Sequence, residues 1–78
     1  MLSETNLIEV DKSVKRSVSG HDSFVIYMCM GGKVRLTDNN GYTISLHQGQ
    51  TALIPATLSW VTIEAETSAK LLECYIPE

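Results

Sequence analysis

Seventy-eight residues with 44% apolar and 19% charged side chains make one small domain or part of one, too apolar for a disordered chain. No run approaches the ~18 uninterrupted apolar residues of a membrane helix, and the first residues lack the basic and apolar regions of a secretory signal. A net charge of −3 and a pI near 5.2 argue against nucleic acid, whose binding needs a basic face.

Val, Ile, Thr, Phe, Tyr and Trp supply 24 of the 78 residues, and no stretch has the apolar spacing of an amphipathic helix, so the chain reads as all-β. Asn6 to Asp11 is a first strand. Lys12 to Val18 alternates, with Val14 and Val18 on one face and Lys15 on the other. Ser19 to Asp22 is a loop. Ser23 to Met30 is the most apolar run, and its lack of alternation predicts a central strand covered on both faces. Gly31 and Gly32 are expected to end it. Lys33 to Thr37 turns Val34 and Leu36 inward, and Asn40-Gly41 marks a tight hairpin. Tyr42 to Leu46 returns with Tyr42, Ile44 and Leu46 on one face. A turn at residues 47–50 leads to Thr51–Ile54, stopped by Pro55. Trp60 to Ile63, a turn at 65–68 and a last strand from Lys70 to Ile76 complete about eight short antiparallel strands, the pattern of a sandwich or small barrel.

Gly49, Gln50, Thr51, Ala52, Leu53, Ile54, Pro55 and Ala56 resemble the second motif of the cupins, which are jelly rolls or double-stranded β-helices. Gly49 and Pro55 match. The second glycine of that motif is Thr57 here, its histidine is Trp60, and its asparagine is Glu64. Counting back from Gly32 through the first motif, the glutamate position holds Val25 and the two histidine positions hold Ser19 and His21. Of a cupin's usual three histidines and one glutamate only His21 survives, and one histidine is not a metal site.

The runs Thr5–Lys12, Val14–Arg16, Asp22–Cys29, Leu53–Ala56 and Lys70–Glu73, closing on Tyr75 and Ile76, are similar in order and spacing to the C-terminal region of short bacterial type I mannose-6-phosphate isomerases. This resemblance covers essentially residues 1–78. It implies a degenerate cupin domain at the end of a longer, cytoplasmic, metal-dependent aldose–ketose isomerase that interconverts mannose 6-phosphate and fructose 6-phosphate. The zinc would sit in the preceding, larger cupin domain. This fragment would hold no catalytic, cofactor-binding or metal-ligating residue and would have a packing role. A free-standing small cupin, binding a ligand or a protein through a pocket of Tyr27, Trp60 or Tyr42, is the alternative.

His21 and His47 read as solvated turn residues. Trp60 is expected to fill the space of a metal cavity, with an interdomain contact or sugar stacking as the other options. Lys12, Lys15 and Arg16 form the one basic cluster, read as a solvated strand face or as a contribution to a phosphate site. Nothing in the order of residues places two of Glu9, Glu64, Glu66 and Glu73 in one cleft, and Ser19, His21 and Asp22 in a single loop do not make a triad. Cys29 and Cys74 are expected as reduced thiols, a disulfide between neighbouring strands being the other option. A fragment of this kind should expose apolar surface and cover it by self-association to a dimer.

Overall fold

The computed structural model describes residues 4–18 and 23–77. Six strands follow one another: β1 (Glu4–Val10), β2 (Ser13–Ser17), β3 (Ser23–Asp38), β4 (Thr43–His47), β5 (Thr51–Ile54) and β6 (Trp60–Pro77). All pairings are antiparallel. No helix of the described residues is long and apolar enough to cross a membrane.

The strand count differs from the eight expected because two expected breaks do not break the ladder. β3 runs on through Gly31 and Gly32, and β6 runs on through residues 65–68. The two long strands pair along their whole length, with register shifts between Cys29 and Val34. Gly32 adopts φ 76°, a left-handed conformation that glycine reaches without steric cost. Its expected conformation is correct; the result is a β-bulge that bends the strand pair.

The bend divides the ladder into two four-stranded layers. In the first, β5 pairs with the early half of β3, which pairs with the late half of β6, which pairs with β1. In the second, β4 pairs with the late half of β3, which pairs with the early half of β6, which pairs with β2. This is the jelly-roll arrangement, with β3 and β6 common to both layers.

Strand periodicity then fills the core. Val10, Val25, Tyr27, Cys29, Ala52, Ile54, Ala69, Leu71 and Tyr75 enter it from the first layer, and Val34, Leu36, Leu46, Val61 and Ile63 from the second. Two inward expectations fail. Tyr42 is 75% exposed and Ile44 47% exposed: Tyr42 lies in the hairpin loop just before the edge strand β4, and Ile44 near the start of that strand. β3 is central in the pairing, as expected, yet the described residues cover only its inner face, and Met28 and Met30 on the other face are 40% and 47% exposed.

The hairpin at Gly41 is a three-residue loop. Asp38 N–H donates to the Tyr42 carbonyl and Gly41 N–H to the Asp38 carbonyl, while Asp38 Oδ1 accepts from the backbone of Asn40 and Tyr42. Asn39 Oδ1 accepts from Ser59 N–H at 2.8 Å, which ties this loop to the connection entering β6.

Gly32 provides the test of the bend. A Cβ there would lie 2.3 Å from the Ser68 carbonyl oxygen and 2.9 Å from Ala69 Cα, whereas a Cβ on Gly31 meets nothing within 4 Å. Gly32→Ala should cost about 2 kcal/mol or more, and Gly31→Ala should stay within about 0.5 kcal/mol of the parent. Urea denaturation of the two variants compares them directly.

Candidate functional site: a buried charge network between the layers

Late in β6, Leu71, Glu73 and Tyr75 share the inward face. Glu73 is the buried charged residue of the core, with 0% exposure. Its register partners in the first layer are Asn6 on β1 and Tyr27 on β3, which also point inward. Asn6 Nδ2 donates to Oε1 at 3.2 Å and the Tyr27 hydroxyl to Oε2 at 2.6 Å.

The fourth member comes from the opposite layer. On β2, Arg16 shares its face with Val14 and reaches across the interior. Its Nε donates to Oε2 at 3.0 Å and its Nη2 to Oε1 at 2.6 Å, a two-point grip that matches the planar guanidinium to the carboxylate. The Arg16 side chain keeps 35% exposure, so one end of the network meets water. Beside it the Tyr75 hydroxyl donates to the Ser17 carbonyl at 3.4 Å, a second, longer link between layers.

Opposing effects set the ionisation. Burial alone would push the Glu73 carboxyl up. The hydrogen bonds from Arg16 and Tyr27 and the charge of Arg16 outweigh burial and hold it below its usual 4.5. Burial, followed by the hydrogen bond to Glu73, raises the Tyr27 phenol above its usual 10.0. Burial and the neighbouring Glu73 charge also raise Tyr75. The site is thus a carboxylate already neutralised and hydrogen-bonded. It has geometry for locking two sheets together, and its acid and base are committed to each other.

The sequence-derived candidates are scattered around this network. The basic cluster is divided: Arg16 points inward, Lys15 lies outside with Nζ 4.2 Å from the centre of the Trp60 ring, and Lys12 is exposed after β1. Trp60 is half-buried on the outer face and stands outside the core, contrary to the expected cavity filling, because Val61 and Ile63 take the inward parity of β6. Tyr27, Trp60 and Tyr42 therefore line no common pocket. His47 is exposed, with Nδ1 3.2 Å from the Gln48 carbonyl. Ser19, His21 and Asp22 lie outside the described residues. Cys29 and Cys74 are free thiols; Cys29 is buried inside and Cys74 stands on the opposite face of the sheet, so their side chains diverge.

At the cupin ligand positions, Val25 and Trp60 carry no group that binds a transition metal, and Trp60 does not face the interior. Among the described residues no three His, Cys, Asp or Glu side chains come together. This donor set does not fit a cupin metal. A cleft of about 220 Å³ lies elsewhere, at the bend, lined by Glu9, Asp11, Gly31, Gly32, Ser68, Ala69 and Lys70. Its polar groups pair with one another: Lys70 Nζ is 4.0 Å from Glu9, and the Ser68 hydroxyl donates to Asp11 at 3.1 Å.

The partners of Glu73 lie far away in the chain, so spacing along the sequence does not single it out from Glu9, Glu64 and Glu66. The signal was its parity. It stands between inward Leu71 and inward Tyr75, as Arg16 stands between Val14 and Val18. A charge in an apolar row needs a buried partner.

No family model matches the sequence, and no curated protein matches it. Solved structures do match in fold. A candidate mannosephosphate isomerase from Archaeoglobus fulgidus superposes with a TM-score of 0.83 at 21% identity, over 97% of this chain and 24% of that one. A cupin superfamily protein from Desulfitobacterium hafniense gives 0.78 at 18% identity, over 97% and 68%. A cupin-2 domain protein from Shewanella frigidimarina gives 0.74 at 18% identity, over 97% and 71%. The chain therefore has the cupin fold, and it spans about a quarter of the length of the isomerase.

Two measurements probe the network. Arg16→Met leaves Glu73 buried without its cation and should cost about 3 kcal/mol, at the low end for buried pairs because Arg16 still meets water. Adding Glu73→Gln removes the stranded charge while leaving Tyr27 an acceptor, and should recover about 2 kcal/mol of that loss in a double-mutant cycle. The pH dependence follows from the two directions of shift. Glu73 is depressed, so its contribution is present above its unfolded value near 4.5 and is lost as pH falls through the folded value. Tyr27 is raised, so its contribution is present below 10.0 and is lost as pH rises above that. Urea midpoints across pH should fall at both ends, and Glu73→Gln should remove the Glu73 part of the acid limb and, by taking away one cause of the Tyr27 shift, soften the alkaline limb as well.

Proposed function

We propose that this chain is a cupin domain without a metal centre, belonging to a mannose-6-phosphate isomerase-like enzyme. In that enzyme a preceding, larger cupin domain would hold zinc, which would polarise the sugar oxygens during aldose–ketose exchange. This domain would contribute packing and shape, and the whole would work in the cytoplasm. The observation that carries the reading is the interior itself. Among the described residues, the buried carboxylate of Glu73 is gripped by Arg16, Tyr27 and Asn6, and every member of the network has a partner within the chain. The fold match to the Archaeoglobus fulgidus protein, over a quarter of its length, supports an appended domain of an isomerase.

The second reading, a free-standing cupin that binds a protein or small ligand, is favoured by a different observation. This chain spans 71% of a cupin-2 domain protein from Shewanella frigidimarina and 73% of a structurally similar protein from Neisseria meningitidis.

Metal analysis and a coupled isomerase assay on the purified chain test the first reading. After equilibration with zinc and dialysis the chain should retain far less than one equivalent, and it should not convert mannose 6-phosphate. Stoichiometric zinc or measurable turnover overturns the proposal. A thermal shift on adding mannose 6-phosphate would move support to the second reading.

A further inference from the structure

The loop joining β3 to β4 carries Asn40 and Gly41 side by side, both exposed. The Asn40 side chain is bonded to none of the described residues; only its backbone N–H is held, by Asp38 Oδ1 at 2.8 Å. Gly41 adopts φ 87°, and a Cβ there would meet nothing within 4 Å, so no side chain shields the nitrogen that joins the two residues. The other asparagines are placed differently. Asn39 precedes Asn40, whose side chain crowds the linking nitrogen, and its Oδ1 accepts from the N–H groups of Ser59 and Trp60. Asn6 precedes Leu7, and its Nδ2 donates to Glu73. One restraint holds the Gly41 nitrogen back: in the closed loop it donates to the Asp38 carbonyl at 3.0 Å. That bond lies at the tip of an edge strand in which Leu46 alone is buried, so it belongs to the part of the fold that opens most readily.

We infer that Asn40 is a site of spontaneous deamidation, with the Gly41 nitrogen as nucleophile and water as co-reactant, and that the product releases β4 from the second layer. The Gly41 nitrogen gives its proton to hydroxide and bonds to Asn40 Cγ. The Cγ–Nδ2 bond breaks, and Nδ2 leaves as ammonia. Water then opens the cyclic imide on either side of its nitrogen. Breaking the new N–Cγ bond yields aspartate. Breaking the original peptide bond yields isoaspartate, whose main chain runs through the side chain and is longer by a methylene. No oxidant or reductant takes part. A three-residue loop has no slack for that atom. The bonds from Asp38 N–H to the Tyr42 carbonyl and from Gly41 N–H to the Asp38 carbonyl set its length, and Asn39 ties it to the start of β6. Loop length in turn sets the β3–β4 register, from Thr37 opposite Thr43 to Lys33 opposite His47. A longer loop therefore costs β4 its register and Leu46 its place in the core. The inference does not rest on the isomerase reading.

Peptide mapping by mass spectrometry on the intact folded chain, aged in buffers of rising pH, tests it. The amide-to-acid mass change should appear at Asn40 at least about tenfold faster than at Asn39 or Asn6, and faster as pH rises. Isoaspartate at Asn40 is identified by enzymatic methylation. The emission of Trp60, the single tryptophan, should shift in step with isoaspartate, and the urea midpoint of the aged fraction should fall. Asn40→Gln, whose longer side chain closes a ring far more slowly, should keep both readings constant over the same period. Freshly prepared Asn40→Asp carries the charge without the added methylene and should melt like the parent. Conversion at Asn40 no faster than at Asn39 or Asn6 overturns the site. An isoaspartate fraction that melts like the parent overturns the release of β4, as does fresh Asn40→Asp that already melts like the aged protein.

Discussion

A carboxylate fully removed from water must be compensated or it will not be ionised, and Glu73 is such a group. Its compensation imposes conditions on almost every strand. β1 must lie in the register that sets Asn6 opposite Glu73, and β3 in the register that sets Tyr27 on the other side. β2, in the opposite layer, must approach closely enough for Arg16 to reach both oxygens. A slip of one residue in any of these pairings would turn a partner to the outside and strand a charge within. Apolar contacts between Val, Leu and Ile would tolerate such slips far better. The network contributes specificity in this way, whatever its net contribution to stability.

The contact between layers depends in turn on the bend. Arg16 and Glu73 lie on different layers, and the layers face one another because β3 and β6 fold over together at Gly32. Bending two paired strands keeps their backbone groups satisfied except at the bulge, where the Cys29 thiol lies 3.4 Å from the Gly31 carbonyl and 3.5 Å from that of Gly32. Ending both strands and starting new ones would have required two further turns and left further groups to pair. A single glycine with positive φ thus supports both the architecture and the charge network inside it.

This division explains what was legible in the sequence. The all-β class, the hairpin at Asn40 and Gly41, and the inward pair Val34 and Leu36 follow from local rules of alternation and turn chemistry, and they hold. Gly32 could be read as a left-handed residue, but whether such a residue ends a strand or bends it depends on whether the neighbouring strand continues, which is not local. The same limit hid the site. Lys12, Lys15 and Arg16 look like one basic cluster when counted along the chain; in a strand, successive side chains leave on opposite faces, so Lys15 goes out to Trp60 and Arg16 goes in. Parity alone would have placed Arg16 and Glu73 in the interior. That they meet across 57 positions required the bend. Trp60 shows the converse error. Motif counting set it at a ligand position, while its neighbours Val61 and Ile63 already claimed the inner face.

The interior and the outer surface therefore have different capacities. Inside, the charge balancing the carboxylate is a guanidinium attached to the same chain, and its planar fork occupies both oxygens that a cation would need. To admit a ligand there, the chain would have to release Arg16 and leave the buried Glu73 charge without its cation. Outside, the first layer presents side chains whose only unsatisfied demand is burial, and it can meet that demand without disturbing any internal contact. Binding through the outer sheet leaves the network intact; binding through the core would have to dismantle it. The same interior that fixes the strand register thus leaves the outer sheet as the face whose burial would disturb no internal contact.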